Sequence, residues 1–149
     1  MKHQVVLILF LILALSSETT AQNQDSLAVI RTTEKFVKAF TSFDWLTFKN
    51  SFSDDATIFF PFWEQGKRKA GRQEVEAAWA EIFPEFIDTS KKFDLKIEPK
   101  NVLLQLYDKT AIVTFHLGDD DYLSRRTIVY VKKGSDWKIV HLHASSVKK

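Results

Sequence analysis

The sequence predicts an α+β fold, in which helices come first and a sheet of antiparallel strands follows. Through most of the first half of the chain, apolar residues recur every three or four positions, as in helices with one buried face. From Phe93 onward apolar and polar residues alternate, which is the period of half-buried strands. Turn sequences such as Lys133-Gly134-Ser135-Asp136 separate the alternating segments and predict hairpins. Helices followed by hairpin-connected strands define the α+β class.

Three helices are predicted from these periods and from their capping residues. Asp25 or Ser26 can cap the first helix, and Asp44 can cap a short second one. Gly71 opens the third helix, which Pro84 ends because proline cannot continue a helix. The predicted core-facing positions are Val29, Phe36, Val37 and Phe40, then Trp45, Phe48 and Phe52, then Val75, Ala78, Trp79, Ile82 and Phe83.

One strand is predicted between the second and third helices, and five follow the third helix. Pro61 ends the pairing of the first strand, since proline has no amide hydrogen to donate. The predicted strands are residues 56–60, 93–97, 102–107, 111–117, 122–132 and 137–146.

The N-terminus has the pattern of a secretory signal peptide. Lys2 precedes an apolar run at residues 5–15, and a small polar stretch ends at Ala21. The run is about 11 residues long, well short of the roughly 20 that a membrane-spanning helix needs. We expect a signal peptide at 1–21 and one domain at 22–149, exported to the periplasm or secreted.

Composition favours a protein without a nucleic-acid or membrane partner after cleavage. Removal of Lys2 and Glu18 leaves 21 − 1 = 20 basic and 19 − 1 = 18 acidic residues, a net charge of +2. This balance is too even to favour a polyanion. The chain has no cysteine, so the exported domain must be stabilised by packing rather than by disulfides.

Segments along the whole mature chain resemble the SnoaL-like branch of the nuclear-transport-factor-2-like superfamily. They are Phe43-Asp44-Trp45, Phe52-Ser53-Asp54-Asp55-Ala56 with Phe60-Pro61, Gly71-Arg72 with Trp79, Arg126-Thr127-Ile128-Val129-Tyr130, and Trp137 through His143. The resemblance implies a cone, or cystatin-like roll, in which a curved antiparallel sheet wraps round three N-terminal helices. It also implies a pocket at the wide end and a homodimer. The branch shared with the association domain of calmodulin-dependent kinase II is the nearest, because it also ends in a paired-histidine strand.

The strand alternation leaves two choices for the face that lines the cone. One choice puts inside the rows Val113/Phe115/Leu117, Arg126/Ile128/Tyr130 and Val140/Leu142/Ala144. The other puts inside Thr114, His116, Thr127, Val129, His141 and His143, whose polar groups would all need partners. We favour the apolar interior, with the second set on a convex face that forms the homodimer. The expected ligand-binding residues are Arg126, Tyr130, Trp45, Phe60, Trp63, Trp79, Phe115 and Leu142.

Comparison with the superfamily's enzymes removes one expected catalytic group. Ketosteroid isomerases carry an acidic general base just before the proline that ends the first strand, and this sequence has Phe60 there. Arg126 falls near the position of their oxyanion-binding acid, where an arginine could bind a carboxylate or enolate. Alternatively, the charge of Arg126 lies at the rim of the cone or pairs with an Asp or Glu side chain. In the kinase association domain arginines line the pocket, but this sequence has Leu117, Ile128 and Ala144 at the matching positions. We therefore do not expect an anion pocket of that kind.

His141 and His143 share one face of the last strand and are the candidate catalytic residues. With His116 they could also form a metal site, but no fourth ligand is evident, and we expect no metal. Buried, hydrogen-bonded histidines at a dimer interface are the alternative that we favour.

The sequence therefore favours an exported, dimeric domain without a cofactor that binds a small apolar or weakly anionic molecule in its cone. One alternative is an enzyme of the isomerase, cyclase or dehydratase type. Another is a protein-interaction module whose cone is filled by its own aromatic side chains.

Overall fold

Helices pack on one face of a six-stranded curved sheet. The computed structural model describes residues 2–61, 66–88, 90, 95–118 and 122–148, with side chains from Gln22 onward. Its helices are α1 (Lys2–Thr41), α2 (Trp45–Asn50) and α3 (Arg72–Ile82), followed by a 3-10 turn at Pro84–Phe86. Its strands are β1 (Phe52–Phe59), β2 (Lys69–Ala70), β3 (Lys100–Tyr107), β4 (Thr110–Gly118), β5 (Tyr122–Lys133) and β6 (Asp136–Lys148). The predicted α+β class is confirmed.

The strand order across the sheet is β2-β1-β6-β5-β4-β3. Pairing is antiparallel throughout β3 to β6, as predicted, whereas β1 lies parallel to β6. The first long strand therefore lies beside the last, and the helix side of the sheet forms the inner, concave face. No helix in the described part of the chain is both long and apolar enough to cross a membrane.

Two predicted strand boundaries are wrong. Residues 95–97, the described part of the predicted strand 93–97, are not in a strand, and the amide of Leu95 donates instead to the carbonyl of Thr41 at 2.9 Å. Phe52 was expected on the second helix, but it begins β1 and pairs with Ile139. A long-range pairing thus overrides the local helical period at this position.

The predicted caps have mixed outcomes. Asp44 caps α2 as predicted, because its Oδ1 accepts a hydrogen bond from the amide of Thr47 at 3.1 Å. The cap predicted for the first helix is wrong, since α1 continues through Asp25 and Ser26. The Asp25 carboxylate instead forms an ion pair with Lys132 at 2.5 Å.

Aromatic rings from all three helices form the centre of the core. Phe48 is fully buried, and its ring centroid lies 5.1 Å from that of Phe36, 4.9 Å from Trp79 and 4.6 Å from Phe86. Such offset and edge contacts add to the stabilisation from burial. This cluster packs the three helices against one another.

A β-bulge at Val140 interrupts the alternation of β6. Val129 pairs with His141 while Tyr130 pairs with Ile139, so Val140 is an extra residue. Ile139 and Leu142 are therefore both buried although they are three positions apart. Strict alternation along the strand would put Trp137 and Ile139 on the same face as His141. This prediction is wrong, because Trp137 and Ile139 face the core. The half-buried Val140 does not belong to the inner row in which it was expected.

Candidate functional site

A small apolar cavity lies between the helices and the inner face of the sheet. Its volume is about 60 Å³. The lining residues are Phe36, Val37, Phe40, Phe60, Pro61, Trp79, Phe83, Ile97, Phe115, Leu117, Arg126, Ile128, Leu142 and Ala144. The favoured assignment of an apolar interior is confirmed, since β4, β5 and β6 turn these aliphatic and aromatic side chains inward. The three positions matched to the kinase-domain arginines, Leu117, Ile128 and Ala144, all line this cavity.

Aromatic packing explains why the inner cavity is small. The ring of Phe40 lies 5.2 Å from Phe83 and 5.7 Å from Trp79, and Trp79 lies 4.9 Å from Phe60. A dry cavity that holds benzene has roughly 150 Å³. The inner cavity alone therefore has no room for a ring, and a ligand of that size has to extend outward.

A wider space of about 590 Å³ lies at the mouth of the cone. It shares Phe40, Phe83, Ile97, Leu117 and Arg126 with the inner cavity, so the two spaces adjoin. The mouth adds Leu95, Lys96, Glu98, Lys100, Gly118 and Ser124 to its lining. Its charged lining residues are thus three cations and one carboxylate, which gives it a positive balance.

Arg126 borders both spaces and is the only charged residue among the described residues that line the inner cavity. It lies on β5 between Phe115 of β4 and Ala144 of β6. Its Nη1 donates to the carbonyl of Arg125 at 3.0 Å, and it forms no salt bridge with any residue in the described ranges. Burial lowers the pKa of Arg126 to about 10, because removal from water disfavours the cation. The site therefore holds a desolvated positive charge that an anionic ligand could neutralise.

Trp79 contributes a second polar atom to the wall. The side chain is 8% exposed, and its indole Nε1 is a buried donor without a hydrogen-bond partner among the described residues. Buried donors of this kind are uncommon in native proteins. A ligand oxygen in the cone could serve as its acceptor.

Five of the eight predicted ligand-binding residues line the inner cavity. They are Arg126, Phe60, Trp79, Phe115 and Leu142. Trp63 lies outside the described residues. The remaining two, Tyr130 and Trp45, have other positions in the fold.

Tyr130 faces inward as predicted, but it is completely covered and does not line the cavity. Its hydroxyl is hydrogen-bonded to Thr33 Oγ1 at 3.1 Å, and the same oxygen of Thr33 bonds the carbonyl of Val29 at 2.9 Å. Burial raises the pKa of Tyr130, although the bond to Thr33 opposes this. Tyr130 therefore joins the sheet to α1 rather than binding a ligand.

Trp45 lies on the other side of the aromatic core. Its ring is 5.3 Å from that of Phe86, and the ammonium of Lys49 lies 5.8 Å from its centroid. Trp45 is absent from the lining of both the cavity and the mouth. Trp45, the first residue of α2, is half-buried against the core instead.

Some lining residues were not proposed as site residues. Phe36, Val37 and Phe40 belong to the predicted stripe of α1, so their spacing marked them as inward-facing, though not as cavity walls. Ile97 comes from a segment without regular structure. Neither periodicity nor a motif could have identified Ile97, because its position depends on a contact between distant parts of the chain.

 

That contact joins the amide of Leu95 to the carbonyl of Thr41, at the end of α1. It holds the segment that carries Ile97 across the mouth. A sequence pattern carries no information about such a contact between distant residues.

The candidate catalytic histidines lie on the outer face of the sheet, away from the cone. His141 Nδ1 and Thr57 Oγ1 are hydrogen-bonded at 2.8 Å, and the Phe59 ring lies 6.0 Å from His141 and 5.7 Å from His143. Burial lowers the pKa of His141, and the nearby charges of His143 and Arg68 lower it further. Neither histidine can reach a molecule bound in the cone.

His116 does not join this pair. It lies on β4, which β5 separates from β6, and its ring is 3.3 Å from the amide nitrogen of Asn101. The three histidines, which could have formed a metal site, are therefore not brought together. Within the described ranges, no three His, Asp or Glu side chains are grouped so that they could hold a metal ion.

These features define a class of protein: an α+β roll whose curved sheet and helices enclose a mostly apolar cavity with one cationic wall. The chain belongs to the SnoaL-like domain family, whose sequence profile matches residues 29–148. The resemblance noted in the sequence is thereby confirmed. A comparison with curated proteins gave no significant match.

Solved structures with the same fold include two enzyme candidates and a CaMKII hub. A candidate dehydratase of the NTF2-like family from Streptomyces avermitilis is 21% identical, with a TM-score of 0.69 over 84% of this chain and 97% of that one. A candidate ketosteroid isomerase from Parabacteroides distasonis is 19% identical, with a TM-score of 0.60 over 80% of this chain and 85% of that one. The CaMKII hub of S. rosetta is 27% identical, with a TM-score of 0.63 over 80% of this chain and 95% of that one.

Proposed function

We propose that this protein is an exported, homodimeric binding domain that holds a small, weakly anionic molecule in its cone without a cofactor. The observation that carries the proposal is Arg126, a partly buried cation without a carboxylate partner in the described chain, at the boundary of the cavity and the mouth. A buried charge is unfavourable unless it is paired. A ligand carboxylate would supply the missing partner.

The two adjoining spaces indicate how such a ligand would lie. An apolar end of a few heavy atoms fits the inner cavity of about 60 Å³. The anionic group would then contact Arg126, and the rest of the molecule would occupy the mouth near Lys96 and Lys100. The unpaired indole N–H of Trp79 could donate to an oxygen of the same molecule.

Thermal-shift and calorimetric titrations test this proposal. Straight-chain monocarboxylates from acetate to octanoate serve as probes, with alcohols of the same length as uncharged controls. We expect the acids to raise the melting temperature and the alcohols to have little effect. At a ligand concentration of about 100 times Kd, the stabilisation is about 2.7 kcal/mol.

Arg126→Gln should abolish the response to the acids, whereas Arg125→Gln should preserve it. Arg125 is a suitable control because it is an exposed arginine one position away on the same strand. An unchanged response in Arg126→Gln would exclude Arg126 as the anchor. The absence of a response to any probe would favour the filled-cone alternative.

An interaction module with a filled cone is the second candidate. The observation in its favour is the small size of the inner cavity, which the rings of Phe40, Trp79 and Phe83 largely occupy. In that case the aromatic side chains would serve only as core, and the surface would carry the function. Replacing Phe83 with alanine discriminates: enlargement of the cavity should improve binding of longer acids in a binding domain, but only destabilise an interaction module.

An enzyme of the isomerase, cyclase or dehydratase type has weaker support. The fold is shared with candidate enzymes, and Arg126 could stabilise an enolate. A proton transfer also needs an acid or base, and Glu98, in the mouth, is the acidic residue available in the described linings. Loss of turnover in Glu98→Gln, with ligand binding unchanged, would support this alternative.

A further inference from the structure

The outermost strand of the described sheet, β3, has an apolar edge whose pairing with β4 is regular from Leu103 to Tyr107. Residues 101–107 are seven consecutive uncharged residues without a proline. Val102, Leu103 and Tyr107 are 53%, 57% and 56% exposed. Natural sheets protect such edges with charges, prolines, bulges or a covering segment, because a free edge can pair with another strand. The register shift of β3 occurs between Lys100 and Leu103, so the strand beyond it is regular.

An apolar groove of about 330 Å³ runs beside this edge on the inner side of the sheet. Ile30 of α1 and Val102 of β3 line it from opposite sides, and both are exposed. Leu104 and Val113 form part of its floor, and Glu34 is its charged lining residue. The edge and the groove together form one apolar surface, distinct from the cone and from the outer face that carries His141.

We propose that β3 pairs antiparallel with β3 of a second copy of this chain, about a twofold axis at Leu104. The two sheets of six strands would then form one continuous sheet of twelve. In this register Leu104 lies opposite the partner's Leu104, and Leu103 lies opposite the partner's Gln105. The apolar side chains on the inner face of each strand would cover the groove of the other copy.

A second copy fits this edge better than an unrelated strand for two reasons. The apolar set of β3 is self-complementary about Leu104, as an isologous interface requires. The strand also begins at Lys100 and is followed by Asp108, so antiparallel self-pairing brings oppositely charged ends together. Pairing through β3 leaves free the outer face of the sheet, where we expect the homodimer. The β3 contact and the outer-face contact can therefore form in the same assembly.

Cysteine crosslinking tests both the contact and its register, because the natural chain has no cysteine. Residues directly opposite each other in an antiparallel pair have Cα atoms about 4.5 to 5.5 Å apart, which lies within disulfide range. Leu104→Cys in the chain 22–149 should therefore form a disulfide-linked dimer under mild oxidation. Two copies of Tyr107→Cys would lie about six residues apart along the strands, roughly 20 Å, and should not crosslink.

Leu46→Cys is the control for random collision, since Leu46 is 65% exposed on α2, which packs against β1 rather than against the edge strand β3. We expect at least fivefold more crosslinked dimer from Leu104→Cys than from either control. Equal yields at the three positions, or a higher yield from Tyr107→Cys, would overturn the proposal. Absence of a crosslink in folded Leu104→Cys with a reactive thiol would overturn it as well.

Sedimentation equilibrium supplies an independent readout. Val102→Lys places a charge on the exposed edge and should weaken the β3 contact at least tenfold, while leaving binding in the cone unchanged. An unchanged assembly in folded Val102→Lys would contradict the proposal. This test of the β3 contact is independent of the outer-face dimer, because that dimer brings together other strands. Either proposed interface can therefore be disproved without the other.

Discussion

At the scale of single residues, Arg126 combines a binding role with a cost in stability. Its guanidinium is largely removed from water, and burial lowers its pKa to about 10. Arg126→Leu should therefore raise the free energy of unfolding by about 1 kcal/mol, because a well-packed apolar side chain replaces an unpaired buried charge. Urea denaturation measures this change.

The exposed Arg125 again provides the control, and Arg125→Leu should change stability by less than about 0.5 kcal/mol. The gain expected for Arg126→Leu should accompany a loss of acid binding. Destabilisation by Arg126→Leu would mean that the guanidinium has a favourable partner in the folded protein.

Replacement of Tyr130 should have the opposite effects to replacement of Arg126: a loss of stability without a loss of ligand binding. Its hydroxyl bonds Thr33 in the buried contact between β5 and α1, so Tyr130→Phe removes a buried hydrogen bond. We expect a loss of about 1 kcal/mol in unfolding free energy and no change in ligand affinity. Parallel denaturation and titration of the variant check both parts; a change in affinity alone would place Tyr130 in the binding site.

The lowered pKa of His141 predicts that the stability of the protein depends on pH. Burial, assisted by His143 and Arg68, lowers its pKa below 6.5. The unfolded chain therefore takes up the proton first as pH falls, and stability should decrease below about pH 6.5, with the loss complete below the lowered pKa of the folded state. Thermal melts at pH 7.5 and pH 5.5 should show a smaller difference in His141→Gln than in the natural protein.

The carboxylates contribute in a separate, more acidic range. Hydrogen bonds with Thr47 lower the pKa of Asp44, and Ser53 and Lys133 lower that of Asp55. Their contribution is lost only as pH falls below about 4. An equal response of His141→Gln and the natural protein above pH 5 would show that another group titrates there.

At the scale of secondary-structure elements, the bulge in β6 determines which side chains face the cone. Deletion of Val140 should preserve the fold, since it removes the extra residue and leaves Ile139 and Leu142 on the inner face. Deletion of Val129 from the regular register of β5 should unfold the protein, because every residue on one side of the deletion would change faces. Circular dichroism melts of the two variants compare these effects; equal loss of structure would argue against a bulge at Val140.

The periodicity of the chain predicted most of these elements but not their irregularities. The hairpins and strand parities of β4 and β5 follow from local alternation, and so did the outward direction of His141 and His143. The bulge could not be predicted, because Val140 is a β-branched residue that equally suits a regular strand. Phe52 and the segment 95–97 differ from prediction for a related reason, since distant contacts determine their conformation.

At the scale of the whole molecule, the outer face is suited to the dimer that we propose. Thr57 and Phe59 of β1 lie beside His141 and His143 of β6, which pair in turn with Val129 and Thr127 of β5. This surface carries no acidic side chain at these six positions, and all but His143 are half-buried. Val129→Arg should weaken dimerisation through it at least tenfold, since two like charges would meet near the axis.

Sedimentation equilibrium of the chain 22–149 measures this effect, with Asn50→Arg as the control. Asn50 is exposed at the end of α2, on the opposite side of the sheet. Dimers of unchanged affinity in Val129→Arg would exclude the outer face as the interface.

The walls of the cone show how far sequence can define a site of this kind. Arg126, Phe60, Phe115 and Leu142 follow from strand parity once one face is assigned to the interior, and Trp79 follows from helical spacing. The volume of the cavity depends on the packing of Phe40 against Phe83 and Trp79, which brings together residues from distant parts of the chain. No local pattern contains that information.

The parallel pairing of β1 with β6 has a consequence for the order of folding. Thr57 and His141 are hydrogen-bonded although they are 84 positions apart. A chain emerging from the ribosome cannot complete this sheet until its final strand is available, because β6 lies between β1 and β5. Contacts of such long sequence separation form late. The unfinished chain would therefore lack its complete sheet during synthesis, a condition that would suit the export that we propose.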